Sequence, residues 1–230
     1  MFHQLVRSAP YPSKSHLADH SLRMLNNLGF LKIPGGLTKI NLNLMRLGII
    51  LHDVGVFYTQ DVCHGPESAR LIRPHLGSFA LGRNGEDILC SIIRAHDDPT
   101  FVDNSVEARA LRVLDDIDAA GALGVYRFLE IYSRRGIEPP QMFEKPVLRL
   151  KQRQHNLENS FFTRKDLTLI GQSFKYAVDV FEKMLNGDQD SLLILEKLKE
   201  ADFDLIHVPD ILTGLDPQNN KVAHAFFSRM

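Results

Sequence analysis

Tryptophan is absent from this 230-residue chain, and cysteine occurs only twice, as Cys63 and Cys90. Two thiols are too few for a disulfide framework or for a zinc site built on cysteine. They read as reduced, buried groups of a cytoplasmic protein. Charge of one sign is also missing: 27 basic and 28 acidic residues leave a net charge of -1. Such a chain exerts no general pull on nucleic acid or on an anionic membrane surface. Long hydrophobic runs are lacking too. A run such as Leu47 to Leu51 is far too short to span a bilayer, and the N-terminus shows no apolar stretch of signal-peptide length. The expectation is a soluble cytoplasmic protein. With 44% hydrophobic and 24% charged residues, it has the usual means to build a core. Histidine is what the chain has in quantity. There are ten, and seven fall at or before His96.

The apolar pattern predicts an all-α fold. After an irregular arm marked by Pro10 and Pro12, a helix is expected from about Ser13, with His20, Met24 and Leu28 on one face and a stop at Gly29. Thr38 can cap a second helix carrying Ile40, Leu44, Leu47 and Leu51, ending near His52-Asp53. A third starts after His64-Gly65 with Pro66 in the favoured first turn and runs to about Pro74. Asn84-Gly85 reads as a break, followed by a helix from Glu86 to His96. Ser105 caps the next, in which Leu111, Leu114, Asp115 and Asp118 share a face. A further helix runs from Leu123 to about Tyr132, stopped by Gly136 and Pro139-Pro140. Three more are expected near 143–155, 165–186 and 190–201. One domain over 1–230 is expected, with its core at about 13–135, a helical extension at about 140–205 and an irregular tail at 206–230.

Polar residues interrupt three of these apolar stripes near helix ends: His20, the pair His52-Asp53, and Asp115. Burying an unpaired carboxylate costs on the order of several kcal/mol, because it loses its water. Two carboxylates and two imidazoles that converge need a cation, and a divalent metal satisfies all four. Adjacent helical residues point about 100° apart. His52 and Asp53 can therefore share one ion only from a notch at a helix end.

The residues now on the page resemble the HD-domain metal-dependent phosphohydrolases, in particular the branch of small bacterial HD hydrolases. The matching stretches are His20-Ser21-Leu22-Arg23-Met24, Leu47 to Gly55 around His52-Asp53, His64-Gly65-Pro66-Glu67-Ser68-Ala69, Ile92-Ile93-Arg94-Ala95-His96, and Val113 to Gly121 around Asp115. The resemblance covers about residues 13–135. It implies that His20, His52, Asp53 and Asp115 are metal ligands. It implies catalytic or second-metal roles for His64 and His96, and an acidic catalytic position at Asp118. Glu67 is a further catalytic candidate, though an acid there also suits the first turn of a helix. Arg23, Arg94 and Lys145 are the basic candidates for meeting phosphate. Departures from the wider pattern are Val56, where many relatives carry Lys, and His96-Asp97, where some two-metal relatives carry adjacent histidines. His3, His16, His75, His155, His207 and His224 lack supporting context and read as structural or surface residues.

The function implied is hydrolysis of a phosphate ester or anhydride by metal-activated water, on a nucleotide or another small phosphorylated metabolite. The ion would be Mn²⁺, Fe²⁺, Mg²⁺, Co²⁺, Ni²⁺ or Zn²⁺, since the ligand set has no soft sulfur. Neither extended nucleic acid nor a membrane is expected as a partner, and a homodimer stays open. The alternatives are a non-catalytic nucleotide sensor on the same fold and a di-iron oxygenase on the same scaffold.

Overall fold

A computed structural model describes residues 9–16, 18–33, 36, 40–60, 63–98, 100–157, 161–204 and 211. The expected cap Thr38 and nearly all of the expected tail at 206–230 lie outside the described residues. Among those described, the fold is all-α and contains no strand. The helices are α1 (Ala18–Leu28), α2 (Leu42–Leu51), α3 (Gly65–Ile72), α4 (Gly82–Ala95), α5 (Val106–Asp118), α6 (Gly121–Arg134), α7 (Gln141–His155), α8 (Arg164–Leu185) and α9 (Gln189–Glu200). The chain divides into two compact units, Met1–Asp115 and Asp116–Met230, with the boundary inside α5.

In the first unit, Leu44, Leu51, Val54, Ile72, Leu76, Leu89, Cys90 and Ile93 form one buried apolar cluster. It joins α2, α3 and α4 to the short 3₁₀ turns Val54–Phe57 and Arg73–Phe79. The second of these turns extends the chain beyond the expected end of the third helix. Three local expectations are corrected. The first helix starts at Ala18, not Ser13. Both Ser13 and Ser15 turn their hydroxyls to Nδ1 of His16, at 3.0 and 2.8 Å, a local alternative to helical bonding that serine readily takes. The second helix is capped by Asn41, whose carboxamide accepts the backbone N–H groups of Asn43 and Leu44 at 3.1 Å. Asn84-Gly85 is no break and lies inside α4. The chain reverses earlier, where Ala80 takes φ 52° and Gly82 takes φ 66°. Ser105 does cap α5, accepting the Ala108 N–H at 3.2 Å.

In the second unit α7 packs along α8, which also meets α6. Phe128 meets Phe181 edge to face at 6.0 Å, a favourable aromatic geometry. The Tyr126 hydroxyl donates to the carbonyl of Phe203 at 3.0 Å. At the end of α6, Gly136 takes φ 64°, and the Ile137 N–H returns to Tyr132 O at 2.9 Å. This left-handed cap explains the stop expected there. Thr163 and Asp166 form a reciprocal capping box at the start of α8, satisfying two backbone donors.

Candidate metal centre

The first unit brings six of the expected side chains to one buried place, each from a helix end or the edge of an apolar face. His20 sits in the first turn of α1. His52 closes α2, and Asp53 follows at φ -94°, ψ 7°, where α2 gives way to the 3₁₀ turn. This is the notch that the His-Asp adjacency demanded. Asp115 comes from α5. His64 immediately precedes α3, and His96 closes α4. Of these, His20, His52, Asp53, His96 and Asp115 are at most 6% exposed.

Asp53 stands at the centre. One of its carboxylate oxygens lies 3.1 Å from His20 Nε2. The other lies 2.7 Å from His64 Nε2, 3.3 Å from His52 Nε2 and 3.7 Å from His96 Nε2. His20 Nε2 is 3.1 Å from His52 Nε2 and 3.6 Å from Asp115. His64 and His96 meet Nε2 to Nε2 at 3.1 Å.

The chemistry of these donors fits a cation. His52 Nδ1 donates to Ile49 O at 2.8 Å, and His96 Nδ1 donates to Ile93 O at 2.6 Å. A carbonyl only accepts, so each Nδ1 holds a proton, and each Nε2 faces the cluster as the nitrogen that could ligate. Donors that share one octahedral ion at about 2.1 Å stand about 3 Å apart. The separations here have that scale. Three overlapping groups could hold an ion: His20 with His52 and Asp115, His52 with Asp53 and His96, and His64 with His96 and Asp97.

Electrostatics point the same way. Burial drives the His52 pKa down to about 4, with His96 and His20 adding to the fall against Asp53 and Asp115. His52 is therefore neutral and able to ligate. Burial would raise the Asp53 carboxyl, yet His52, His20 and His64 outweigh it and hold the group well below its ordinary value. Burial also opposes charge on His64, but Asp97 and Asp53 raise its pKa to about 10. Burial would raise Asp97 as well. His64 and His96, together with its hydrogen bonds to His64, pull it below the usual carboxylate range.

The remaining candidates make other contacts. Asp118 is fully buried in the second unit and pairs with Arg127 at 3.0 Å. Glu67 takes both its oxygens to Arg70 on α3, at 2.6 and 2.7 Å. Arg23 is half-buried on α1, and Lys145 is exposed on α7. Arg94 stacks over Phe101 at 4.3 Å and pairs with Asp98 at 3.3 Å. It lines a cavity of about 560 Å³ with Arg70, Arg73, Asp87, Cys90 and Phe101, in which Arg73 is paired with Asp87. None of the clustered histidines lines that cavity.

Two features escaped the sequence reading. His16, set aside as structural, has its ring 6.0 Å from that of His20. Asp97 is buried against His64; its signal was the acid directly after His96, and spacing alone assigned it no partner. Among the described residues no helix is long and apolar enough to cross a membrane. A family model described as HD domain matches residues 17–120. No curated protein and no solved structure matches the chain.

Proposed function

The chain carries an HD domain over residues 17–120, and from that premise we propose that it is a metal-dependent phosphohydrolase acting on a nucleotide or another small phosphorylated metabolite. The observation that carries this reading is the buried convergence of His20 and His52 on the Asp53 carboxylate, with Asp115 3.6 Å from His20 Nε2. These four residues would hold a divalent ion. Such an ion supplies positive charge against a phosphoryl oxygen and lowers the pKa of a water. His52 enters this role already neutral and oriented by Ile49 O.

His64 and His96 supply the other half of the chemistry. The Asp97 and Asp53 carboxylates beside His64 favour its protonated form. That form can offset phosphate charge or hand a proton to the leaving oxygen at Nε2. His96 Nε2, at 3.1 Å from His64 Nε2, lies close enough to act on the same group. The exclusion of water around 0–6% exposed donors strengthens each of these charge interactions. With a net charge of -1, affinity for an anion comes from the site itself. A cytoplasmic protein without nucleic-acid or membrane partners is the setting proposed for it.

Elemental analysis of the purified protein tests the centre. Phosphate and pyrophosphate release across a nucleotide panel with Mn²⁺, Mg²⁺, Co²⁺ or Ni²⁺ tests the activity. One ion per chain and metal-dependent release are expected. Two ions would move His64 and His96 into the ligand set. Thermal stabilisation by nucleotides without release would favour a sensor, and O₂ uptake with an organic substrate would favour an oxygenase.

A further inference from the structure

We infer that Asp97 is the positioning residue of His64, gripping the imidazole from behind and leaving Nε2 turned to Asp53, instead of serving as a metal ligand. This rests on the phosphohydrolase reading of the site.

The Asp97 side chain is 4% exposed. Its carboxylate is spent on the loop that opens α3. One oxygen accepts the His64 backbone N–H at 2.7 Å, and the other accepts the Gly65 N–H at 2.8 Å. The Cys63 thiol donates to the second oxygen at 3.7 Å. His64 Nδ1 stands 2.9 Å from the first oxygen, off the axis of a straight hydrogen bond. His64, His96 and Asp97 are close enough to hold an ion. Ligation by Asp97 would compete with the two backbone donors that its oxygens already accept, and a buried donor is costly to leave unpaired.

The joint around it leaves no slack. A Cβ on Gly65 would meet Asp97 Oδ1 at 2.5 Å, Arg94 O at 2.7 Å and Ile93 O at 2.8 Å. The first turn of α3 is pressed directly onto the end of α4. On the opposite flank, a Cβ on Gly55 would meet His64 O at 2.3 Å, and the Gly55 N–H donates to Ser68 Oγ at 2.8 Å. Gly55 is two residues from Asp53. The loop carrying His64 is thus clamped between Asp97 and the Asp53 turn, and the ring spans them. Nδ1 faces Asp97, and Nε2 lies 2.7 Å from Asp53 Oδ1.

The test compares Asp97→Asn, His64→Gln and the double variant in the full-length protein. Asp97→Asn should lower turnover about 10- to 100-fold, the scale for residues that orient a site's histidines, at unchanged bound-metal content. In the His64→Gln background the same substitution should add less than about twofold, because the two residues act as a unit. Full multiplication of the two effects, or loss of metal with Asp97→Asn alone, overturns the inference. Long-range ¹H–¹⁵N spectra of the Mg²⁺-loaded protein give a readout apart from activity. The wild-type His64 Nδ1 should carry a proton, and Asp97→Asn should lower its occupancy. A wild-type His64 with Nδ1 unprotonated overturns the inference even if Asp97→Asn does not fold. If no phosphorylated substrate is turned over at all, the function fails while these spectra still decide the role of Asp97.

Discussion

The acids at the histidine cluster of the first unit and the acids buried in the second are handled in opposite ways. In the second, Asp118 pairs with Arg127 at 3.0 Å, Asp116 with Arg153 at 3.1 Å, and the fully buried Glu130 with Arg134. A guanidinium is always charged and forks onto a carboxylate, so these pairs are electrically closed. In the first unit, Asp53, Asp97 and Asp115 face imidazoles. An imidazole can give up its proton and offer a lone pair, which a guanidinium cannot. The same cost of burying a carboxylate is met in one unit by permanent charge and in the other by groups that can exchange a proton for a metal. The first arrangement favours a fixed structure, and the second leaves room for chemistry.

The sharpest break of this contrast is Asp53→Ala. It should abolish bound metal and lower phosphate release by at least about 100-fold, as loss of a central ligand exceeds the loss of an orienting partner; full activity in a metal-stripped Asp53→Ala protein would sink the account. On the closed side, Arg127→Ala should cost about 3–5 kcal/mol in urea unfolding, because it strands Asp118 without its charge partner. Bound-metal content per folded chain should stay the same. Adding metal to stripped protein should stabilise it by about 2.7 kcal/mol at a hundredfold excess over Kd, read as a rise in Tm. Asp53→Ala should erase that rise, while Arg127→Ala should keep it.

Much of the open cluster was legible because helices advertise it. A titratable residue on an apolar stripe at a helix end is costly, and His20, His52-Asp53 and Asp115 carry that cost in order along the chain. The all-α fold was legible for the same reason, since the stripes have helical period. The role of Asp97 was not, because it works through backbone N–H groups 32 and 33 residues away, and no side-chain pattern reports such a contact. The turn at Ala80–Gly82 was missed because Asn84-Gly85 is the stronger turn signal by composition. In the structure both residues fall in the first turn of α4, where helices tolerate them well.

Glycines extend the comparison to smaller effects. Gly65→Ala should destabilise the first unit by about 1–3 kcal/mol, the cost of forcing a methyl into packed atoms. Gly48→Ala should be near neutral, since a Cβ there meets only side chains at 3.7–3.8 Å. Thermal unfolding of both variants checks this. The smallest effect concerns acid. Burial would raise Asp103, but Ser91 and Ser105 hydrogen-bond the charged form and lower its pKa. A carboxyl with a lowered folded pKa adds stability that is present above its unfolded pKa of about 3.9 and is lost as pH falls through the folded value. Asp103→Asn should therefore flatten the acid limb of the stability curve below about pH 4, and unchanged acid unfolding would remove Asp103 from that limb.

One feature reaches beyond chemistry into assembly. His52 and His96 each send their Nδ1 proton to the carbonyl three residues back in their own helix. Those carbonyls belong to the last turn, where the regular bonding of the helix runs out. The bond at the helix end also holds the ring, so each of the two imidazoles is oriented by its own segment. Rotamer freedom that a metal would otherwise have to remove on binding, about 0.5–1.5 kcal/mol for each immobilised side chain, is already lost when the helix forms. An ion would then meet donors whose search is over.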